Sequence, residues 1–303
     1  MPFADTSIDY CGPITIRTWK GRGAKMHKAY IALFVCMSTK ALHLEAVTEL
    51  STEAFIATLR RFVSRRGVCR NIFNDNGLNF VGANAYLRSI SNLHNTEDYR
   101  RAVVNESSTL GISWHFSPPH APHFGGLWEA GVKTVKFHLR RVMGVTSLTF
   151  EELSTVLCQI EACANSRPLC QRFEGDMDPL TPAHFLIMRS MKCLPDEGES
   201  VSALNRWRYM QTLVRGFWRK WSDDYLTQLR KRPKWKKVIT NLKVGDVVIL
   251  KDANLQPGKW KLSRITQLYP GNDGLVRVVE VKTASGTYRR SISKLCPLMI
   301  NDA

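Results

Sequence analysis

The sequence contains no hydrophobic run long enough to cross a membrane. Its longest apolar stretch, from Ala29 to Met37, has nine residues, whereas a membrane-spanning helix needs about 20. The N-terminal residues also lack the basic and apolar segments of a secretory signal. We therefore expect a chain that is neither secreted nor bound to a membrane, whose eight cysteines are free thiols and not a disulfide framework.

The cysteines also lack the spacing of a zinc site. No two of them form a Cys-x-x-Cys pair, and Cys158, Cys163, Cys170 and His184 are the nearest approach to a ligand set. Two of these cysteines lie five residues apart in a predicted helix, which is compatible with core packing. We interpret them as core thiols and predict no zinc site.

Acidic residues are scarce in the last third of the chain. Residues 201–303 contain 21 Lys and Arg but only seven Asp and Glu, whereas residues 1–200 contain 22 and 19. This concentration of positive charge favours a polyanionic partner, and nucleic acid fits best. A basic surface that only improves solubility is the alternative.

Hydrophobic periodicity predicts a mixed α/β domain followed by a helix and a small β-domain. Strands are predicted at 7–18, 28–37, 41–48, 68–73 and 112–116, and helices at 51–67, 127–143 and 150–164. Residues 165–200 look like a connection, and 205–231 a long basic helix. Short strands at 246–250, 258–262 and 275–281 predict a small barrel.

Three carboxylates occupy positions that favour chemistry. Asp9 lies inside the first predicted strand, Asp75 follows the fourth strand in an Asn-Asp-Asn-Gly turn, and Glu129 lies in the first turn of a helix. Converging carboxylates are the oxygen ligands that Mg²⁺ prefers. Taken singly, each also has an ordinary explanation: a solvent-facing residue on an edge strand, a turn residue and an acid near a helix N-terminus.

Three ordered motifs resemble those of retroviral and retrotransposon integrases. They are Ile8-Asp9-Tyr10-Cys11-Gly12-Pro13, Asn74-Asp75-Asn76-Gly77-Leu78-Asn79-Phe80, and the Pro119, Pro122, Gly126, Glu129 spacing. Within that superfamily the chain most resembles the integrase region of BEL/Pao long-terminal-repeat retrotransposons. Residues 3 to about 165 carry the resemblance well, and the basic C-terminal third also looks like the segment that follows the core in those polyproteins.

The resemblance implies an RNase H-like core at 1–165, with a mixed five-stranded sheet and flanking helices. A helical basic linker at 166–237 and a small SH3-like, DNA-binding β-barrel at 238–303 would follow. It also implies a DDE triad of Asp9, Asp75 and Glu129 that holds two Mg²⁺ or Mn²⁺ ions. On our hypothesis Asp9 bridges both ions, and Asp75 and Glu129 hold one each. The implied reactions are DNA 3′-end processing and strand transfer.

Further residues are candidates for binding DNA. Lys133 and Lys136 follow Glu129 at spacings of four and seven, which places all three on one helical face; a surface Glu–Lys pair is the alternative. His120 and His123 lie in the Pro/Gly loop before the helix, and His120 is the stronger candidate. In residues 206–237, tryptophans between basic residues indicate either stacking on DNA or packing of the helix. The basic residues chosen there are Arg230, Lys231, Arg232, Lys234, Lys236 and Lys237.

The sequence departs from the integrase pattern in two respects. First, 53 residues separate Asp75 from Glu129, compared with about 35 in retroviral cores, and we interpret the extra length as a surface insertion at 83–110. Second, no zinc-binding His/Cys segment precedes the core, so we expect a fragment, a processed product or a truncated copy.

The functional expectation is an enzyme that acts on DNA, as a homo-oligomer, in the nucleus. Two alternatives stay open: a catalytically silent or co-opted DNA-binding remnant, and an RNase H-like nuclease. The terminal-repeat sequence that is recognised, the target preference and the oligomeric state do not follow from the sequence.

Overall fold

The computed structural model describes residues 1–74, 80–86, 112–116, 126–143, 148–173, 177–191, 205–229, 242–252 and 255–298, with the backbone alone at 126–133 and 205. The chain divides into two compact units, Met1–Glu161 and Ala162–Ala303. The domain boundaries predicted at residues 165 and 237 stay predictions.

The first unit contains a mixed β-sheet. Its strands are β1 (Asp5–Arg17), β2 (Met26–Cys36), β3 (Leu42–Val47), β4 (Asn71–Asn74) and β5 (Ser113–Phe116), in the order β3-β2-β1-β4-β5. β1, β2 and β3 are antiparallel, whereas β4 is parallel to β1 and β5 is parallel to β4. This RNase H-like order confirms the predicted fold class. A two-residue strand that was not predicted, β6 (Leu148–Thr149), extends the sheet beside the end of β1.

Helices flank this sheet, and all but the second of them lie at positions predicted above. They are α1 (Thr52–Arg66), α2 (residues 80–86), α3 (Gly126–Met143) and α4 (Phe150–Asn165). α1 shows why the sequence prediction works: Ser51 accepts a hydrogen bond from the backbone N–H of Ala54, and Gly67 ends the helix at a φ of 87°. Phe62 of α1 is fully buried and stacks on Phe34 of β2, with 4.3 Å between ring centroids. Helix and sheet therefore share one core.

A network of ionic groups is buried beside this core. His43 of β3 contacts Glu45 at 3.1 Å through Nε2 and Glu161 of α4 at 3.2 Å through Nδ1. Arg61 and Arg65 of α1 pair with Glu45, and Arg66 pairs with Glu161. The two carboxylates and the imidazole are each less than 10% exposed. Since every member has an oppositely charged partner, the network avoids the cost of an isolated buried charge.

This network predicts that stability falls as the pH rises above neutrality. Burial acts to lower the pKa of His43, but its hydrogen bonds to Glu161 and Glu45 outweigh burial and raise that pKa above 6.5. The contribution of His43 is therefore complete below about pH 6.5 and is lost as the pH rises through its raised pKa. Glu45 behaves oppositely: burial raises its pKa, but His43 and Arg61 lower it below 4.5, so its contribution is lost only in acid.

Urea unfolding at pH 6 and pH 9 measures the expected loss. The dependence should persist in a His27→Gln variant, because His27 lies near the exposed end of β2, and should disappear in His43→Gln. An NMR titration that places the pKa of His43 below 6.5 would contradict the assignment.

The second unit contains a five-stranded antiparallel sheet. Its strands are β7 (Val247–Leu250), β8 (Lys261–Pro270), β9 (Val276–Thr283), β10 (Gly286–Ser291) and β11 (Leu295–Pro297), in the order β10-β9-β8-β7-β11. A 3₁₀ turn, Ile292–Lys294, joins the last two strands. This order with this turn is SH3-like and agrees with the predicted fold class. The strand predicted at 258–262 is misplaced, because β8 begins at Lys261.

A long helix packs against the small sheet within the same unit. This helix, α6 (Asn205–Leu229), follows a short helix, α5 (Pro182–Ile187), which lies in the segment predicted to be a connection. Leu226 of α6 is buried with Val247, Ile249 and Cys296 of the sheet. The opposite face of β7 points into a separate core, which contains Val248 and Leu250. Both faces of this strand are therefore buried.

Aromatic side chains strengthen the contact between α6 and the rest of its unit. The indole of Trp218 lies 4.8 Å from that of Trp260, and Trp221 stacks on Tyr225 at 5.7 Å. Tyr225 donates a hydrogen bond to the carbonyl of Pro168, and burial raises its pKa to about 12. None of the helices in the described part of the chain has the length and hydropathy of a membrane span.

Candidate active site

The candidate site lies on one face of β1, the strand at the centre of the sheet. Because side chains alternate along a strand, Tyr10 and Asp9 point to opposite faces. The ring of Tyr10 stacks on Phe80 of α2 at 5.5 Å and meets Phe55 of α1 edge-on. The other face, with Asp9 and Cys11, is covered by α3, since the Cys11 thiol contacts the carbonyl of Lys136 at 3.7 Å.

The carboxylate of Asp9 is accessible although its strand is central. Its side chain is 42% exposed, whereas its cross-strand neighbour Leu33 is fully buried. Oδ1 accepts a hydrogen bond of 2.7 Å from the backbone N–H of Tyr10. The simple alternative of an acid on an edge strand does not hold, because β1 has neighbours on both sides.

A positive charge already lies against this carboxylate. Lys136 of α3 forms an ion pair with Oδ2 of Asp9, and its own side chain is only 20% exposed. The helix is positioned by the apolar face that includes Val135 and Leu139, both buried. A half-exposed carboxylate that attracts a cation has the donor chemistry required of a divalent-metal ligand.

Two neighbours of Asp9 were not singled out from the sequence. Burial raises the pKa of the Cys11 thiol, although Arg140 and Lys136 partly offset the effect. Burial therefore favours the neutral thiol of Cys11. Arg140 also hydrogen-bonds this thiol, and its spacing of four from Lys136 is the signal that would have identified it.

The fourth strand ends beside the Asp9 region of β1. The parallel register pairs Ser7 with Phe73, and Asn74, which is 4% exposed, is the last residue of β4. Asp75 is the next residue in the sequence and lies outside the described residues. β4 therefore ends one residue before Asp75 in the sequence, and the role of Asp75 stays a prediction.

The structure places the remaining predicted residues to different extents. The backbone of Glu129 lies two turns before Lys136 on α3, with that of Lys133 between them. The structure describes neither the side chains of Glu129 and Lys133 nor His120. The basic residues chosen after α6 also lie outside the described residues: Arg230, Lys231, Arg232, Lys234, Lys236 and Lys237. Among the described side chains, no three His, Cys, Asp or Glu residues form a metal-binding cluster.

The tryptophans of α6 pack inside their unit. Trp218 and Trp221 are 4% and 3% exposed, and the indole N–H of Trp218 donates to the carbonyl of Leu255 at 3.1 Å. The proposed stacking of these two rings on DNA is therefore wrong, and the packing alternative is correct. The exposed residues of the helix include Arg208, Arg219 and Lys220, which keep a phosphate-binding role available.

The C-terminal part of the chain is similar to a family model. Residues 205–298 match the model of a family of unknown function (DUF5641). No curated protein matches the sequence significantly.

Two solved structures are similar to the chain. One is the intasome of simian T-cell lymphotropic virus in complex with the PP2A regulatory subunit B56 gamma, at 13% identity and a TM-score of 0.35, covering 99% of this chain and 80% of that chain. The other is the catalytic core domain of BIV integrase, at 15% identity and a TM-score of 0.36, covering 61% and 95%. The fold assignment rests on the strand order of the two sheets.

Proposed function

We propose that the protein is an integrase of the BEL/Pao retrotransposon type, a polynucleotidyl transferase that acts on DNA. The observation that carries this proposal is Asp9: a half-exposed carboxylate on the central strand of an RNase H-like sheet, facing a helix whose Lys136 pairs with it. The three sequence motifs support the same assignment, because each contains one acid of the integrase pattern, in the order in which they occur along the chain.

The three acids would hold two Mg²⁺ or Mn²⁺ ions. Asp9 presents an accessible carboxylate, Asp75 follows the buried end of β4, and Glu129 occupies the first turn of α3. When bound, the ions supply activation of the attacking oxygen and stabilisation of the leaving oxygen. Water would attack in 3′-end processing, and the new 3′ hydroxyl in strand transfer.

Basic residues near the acids would hold the DNA. Lys136 would exchange its ion pair with Asp9 for one with an oxygen of the reacting phosphate. Lys133 and His120 would contact the same DNA end. The DNA backbone further from the reacting phosphate would be bound by the basic residues after α6: Arg230, Lys231, Arg232, Lys234, Lys236 and Lys237. We infer that the protein works in the nucleus as a homo-oligomer on DNA, where retroelement ends and target DNA are joined.

A branched DNA substrate tests this proposal with the fewest other requirements. We expect Mg²⁺- or Mn²⁺-dependent cleavage and rejoining by the wild-type chain, and loss of both in Asp75→Asn, because removing a metal-binding carboxylate removes the charge that holds the ions. Asp98→Asn, with the same change of charge in the predicted insertion, is the matched control and should keep wild-type activity. Gel analysis of a labelled strand gives the readout.

Other results would select between the alternatives. Wild-type protein that binds DNA with strong salt dependence but never cleaves it would be the DNA-binding remnant. Cleavage restricted to RNA in RNA–DNA hybrids would identify an RNase H-like nuclease.

A further inference from the structure

The turn between β1 and β2 forms a basic surface that the proposed catalytic mechanism does not use. We define this hairpin tip as residues 17–28, which include Arg17, Lys20, Arg22, Lys25 and Lys28. From Tyr10 to Leu44 the sequence contains no Asp or Glu. The tip is therefore a region of purely positive charge.

Most of these cations are free to bind a partner. In the described part of the chain, Arg22, Lys25 and Lys28 are exposed and form no ion pair. Lys20 lies 3.7 Å from the buried Glu152, but its own side chain is 64% exposed. Three exposed cations within seven residues form a compact site for anionic groups.

An exposed indole lies among these cations. Trp19 is 53% exposed, and the six-membered part of its ring lies directly against Gly21, where a Cβ atom would be only 1.8 Å from the ring. This contact therefore requires glycine at position 21, because any side chain there would clash with the ring in this position. The ring is supported by backbone while about half of the side chain faces solvent.

Cations around a supported aromatic ring match the chemistry of DNA. Phosphates pair with Lys and Arg, and a base or a sugar packs on the ring. An anionic membrane surface would also attract the charges, but the tip lacks the large apolar face that buries in lipid. Met26 is its other exposed apolar side chain among the described residues.

The distance from Asp9 gives this surface a defined place on the substrate. Asp9 pairs with Leu33 and Arg17 with Met26, so the two β1 residues are seven positions apart along β2, which corresponds to about 23 Å. This is the rise of roughly seven base pairs. A duplex that reacts near Asp9 can therefore extend as far as the tip.

We propose that the hairpin tip is a second DNA-binding surface, which grips the phosphate backbone about seven base pairs from the reacting phosphate and packs Trp19 on the DNA. The location on the substrate rests on the proposed function, because it takes Asp9 as the reacting position. Binding itself does not require catalysis.

DNA binding by the full chain, measured in EDTA by fluorescence anisotropy on a 30-base-pair duplex, tests the proposal. Arg22→Gln/Lys25→Gln should weaken binding about tenfold at moderate salt and reduce the slope of log K against log salt by about two. Trp19→Ala, and Gly21→Ala, which displaces the ring, should each weaken binding severalfold without changing that slope. Circular dichroism checks that each variant is folded.

The matched control is Arg60→Gln/Arg70→Gln, which removes the same charge from exposed positions outside the tip. An equal loss in the control would show that only net charge matters and would overturn the proposal. Loss of binding to phosphatidylserine vesicles without loss of DNA binding would also overturn it and favour a membrane partner.

Cleavage of branched DNA, measured in parallel, separates this proposal from the proposed function. If wild type fails to cleave but the tip variants lose duplex binding, the tip is a DNA-binding surface and the integrase assignment fails. If wild type cleaves and the tip variants bind duplex normally, the integrase assignment stands and the tip proposal fails.

Discussion

Asp9→Asn should abolish metal-dependent cleavage of branched DNA and at the same time tighten DNA binding. We expect activity to fall by on the order of 10³-fold, because an amide cannot supply the negative charge that holds the ions at the reacting phosphate. Cleavage assays over a range of Mn²⁺ concentrations measure this loss. Excess metal should not restore the activity.

The expected gain in binding follows from the ion pair with Lys136. In the wild-type chain that ammonium pairs with Asp9, so its charge is already partly neutralised. The Asp9→Asn substitution removes a negative charge from the surface that faces the phosphates and releases the lysine for them. Anisotropy in EDTA at low salt should therefore show tighter binding, and the gain should vanish in the double variant with Lys136→Met.

Asp5→Asn is the matched control for this experiment. Asp5 begins the same strand and accepts a hydrogen bond of 2.6 Å from the side chain of Asn71, a role that an amide oxygen can also fill. Activity and DNA affinity should stay close to wild type. Equal losses in the two variants would mean that Asp9 matters only for the stability of β1.

Glu161→Ala should cost about 3–5 kcal/mol of folding free energy, the penalty for breaking a buried ion pair. Glu161 is 9% exposed and pairs with His43 and Arg66. It also accepts a hydrogen bond of 2.8 Å from the backbone N–H of Leu44. Removing the carboxylate leaves an imidazolium, a guanidinium and a strand N–H without this acceptor.

Urea unfolding at pH 6 gives the measurement. Glu151→Gln, on the exposed side of the same helix, is the control and should cost no more than about 1 kcal/mol. The double variant His43→Leu/Glu161→Leu should lose less than Glu161→Ala, because it removes the imidazolium together with the carboxylate, so that only Arg66 and the Leu44 N–H lose their acceptor, while Glu45 keeps Arg61 and Arg65. A double variant that is less stable than Glu161→Ala would show that the pair itself contributes net stability.

Local sequence patterns predicted most of the elements of the fold. α1 has a capping serine, an apolar stripe and a terminal glycine, so both ends are encoded locally. β10 was missed because its residues, Gly286–Ser291, are almost all exposed, and an edge strand without a buried face has no alternation to detect. β8 was misplaced because Ser263 and Ile265 are its only buried positions, so that the strand has no regular apolar alternation to detect.

The candidate site was less completely predictable. Motif spacing singled out Asp9, Asp75 and Glu129 as candidates, and helical spacing added Lys136; the triad itself stays a prediction. The pairing of Lys136 with Asp9, 127 residues apart, depends on how α3 crosses the sheet, which no local pattern encodes. Burial of Trp218 and Trp221 also depends on tertiary packing, because a tryptophan between basic residues has the same sequence signature in a DNA-binding face and in an amphipathic helix.

The shared core of α6 and the small sheet has an evolutionary consequence. Leu226 packs on one side of that sheet, and the matching family model, over residues 205–298, begins where α6 begins and spans β7 to β11. A recombination event that separated the helix from the strands would expose Leu226 on one product and Val247 and Ile249 on the other. We therefore expect helix and sheet to be inherited as one module.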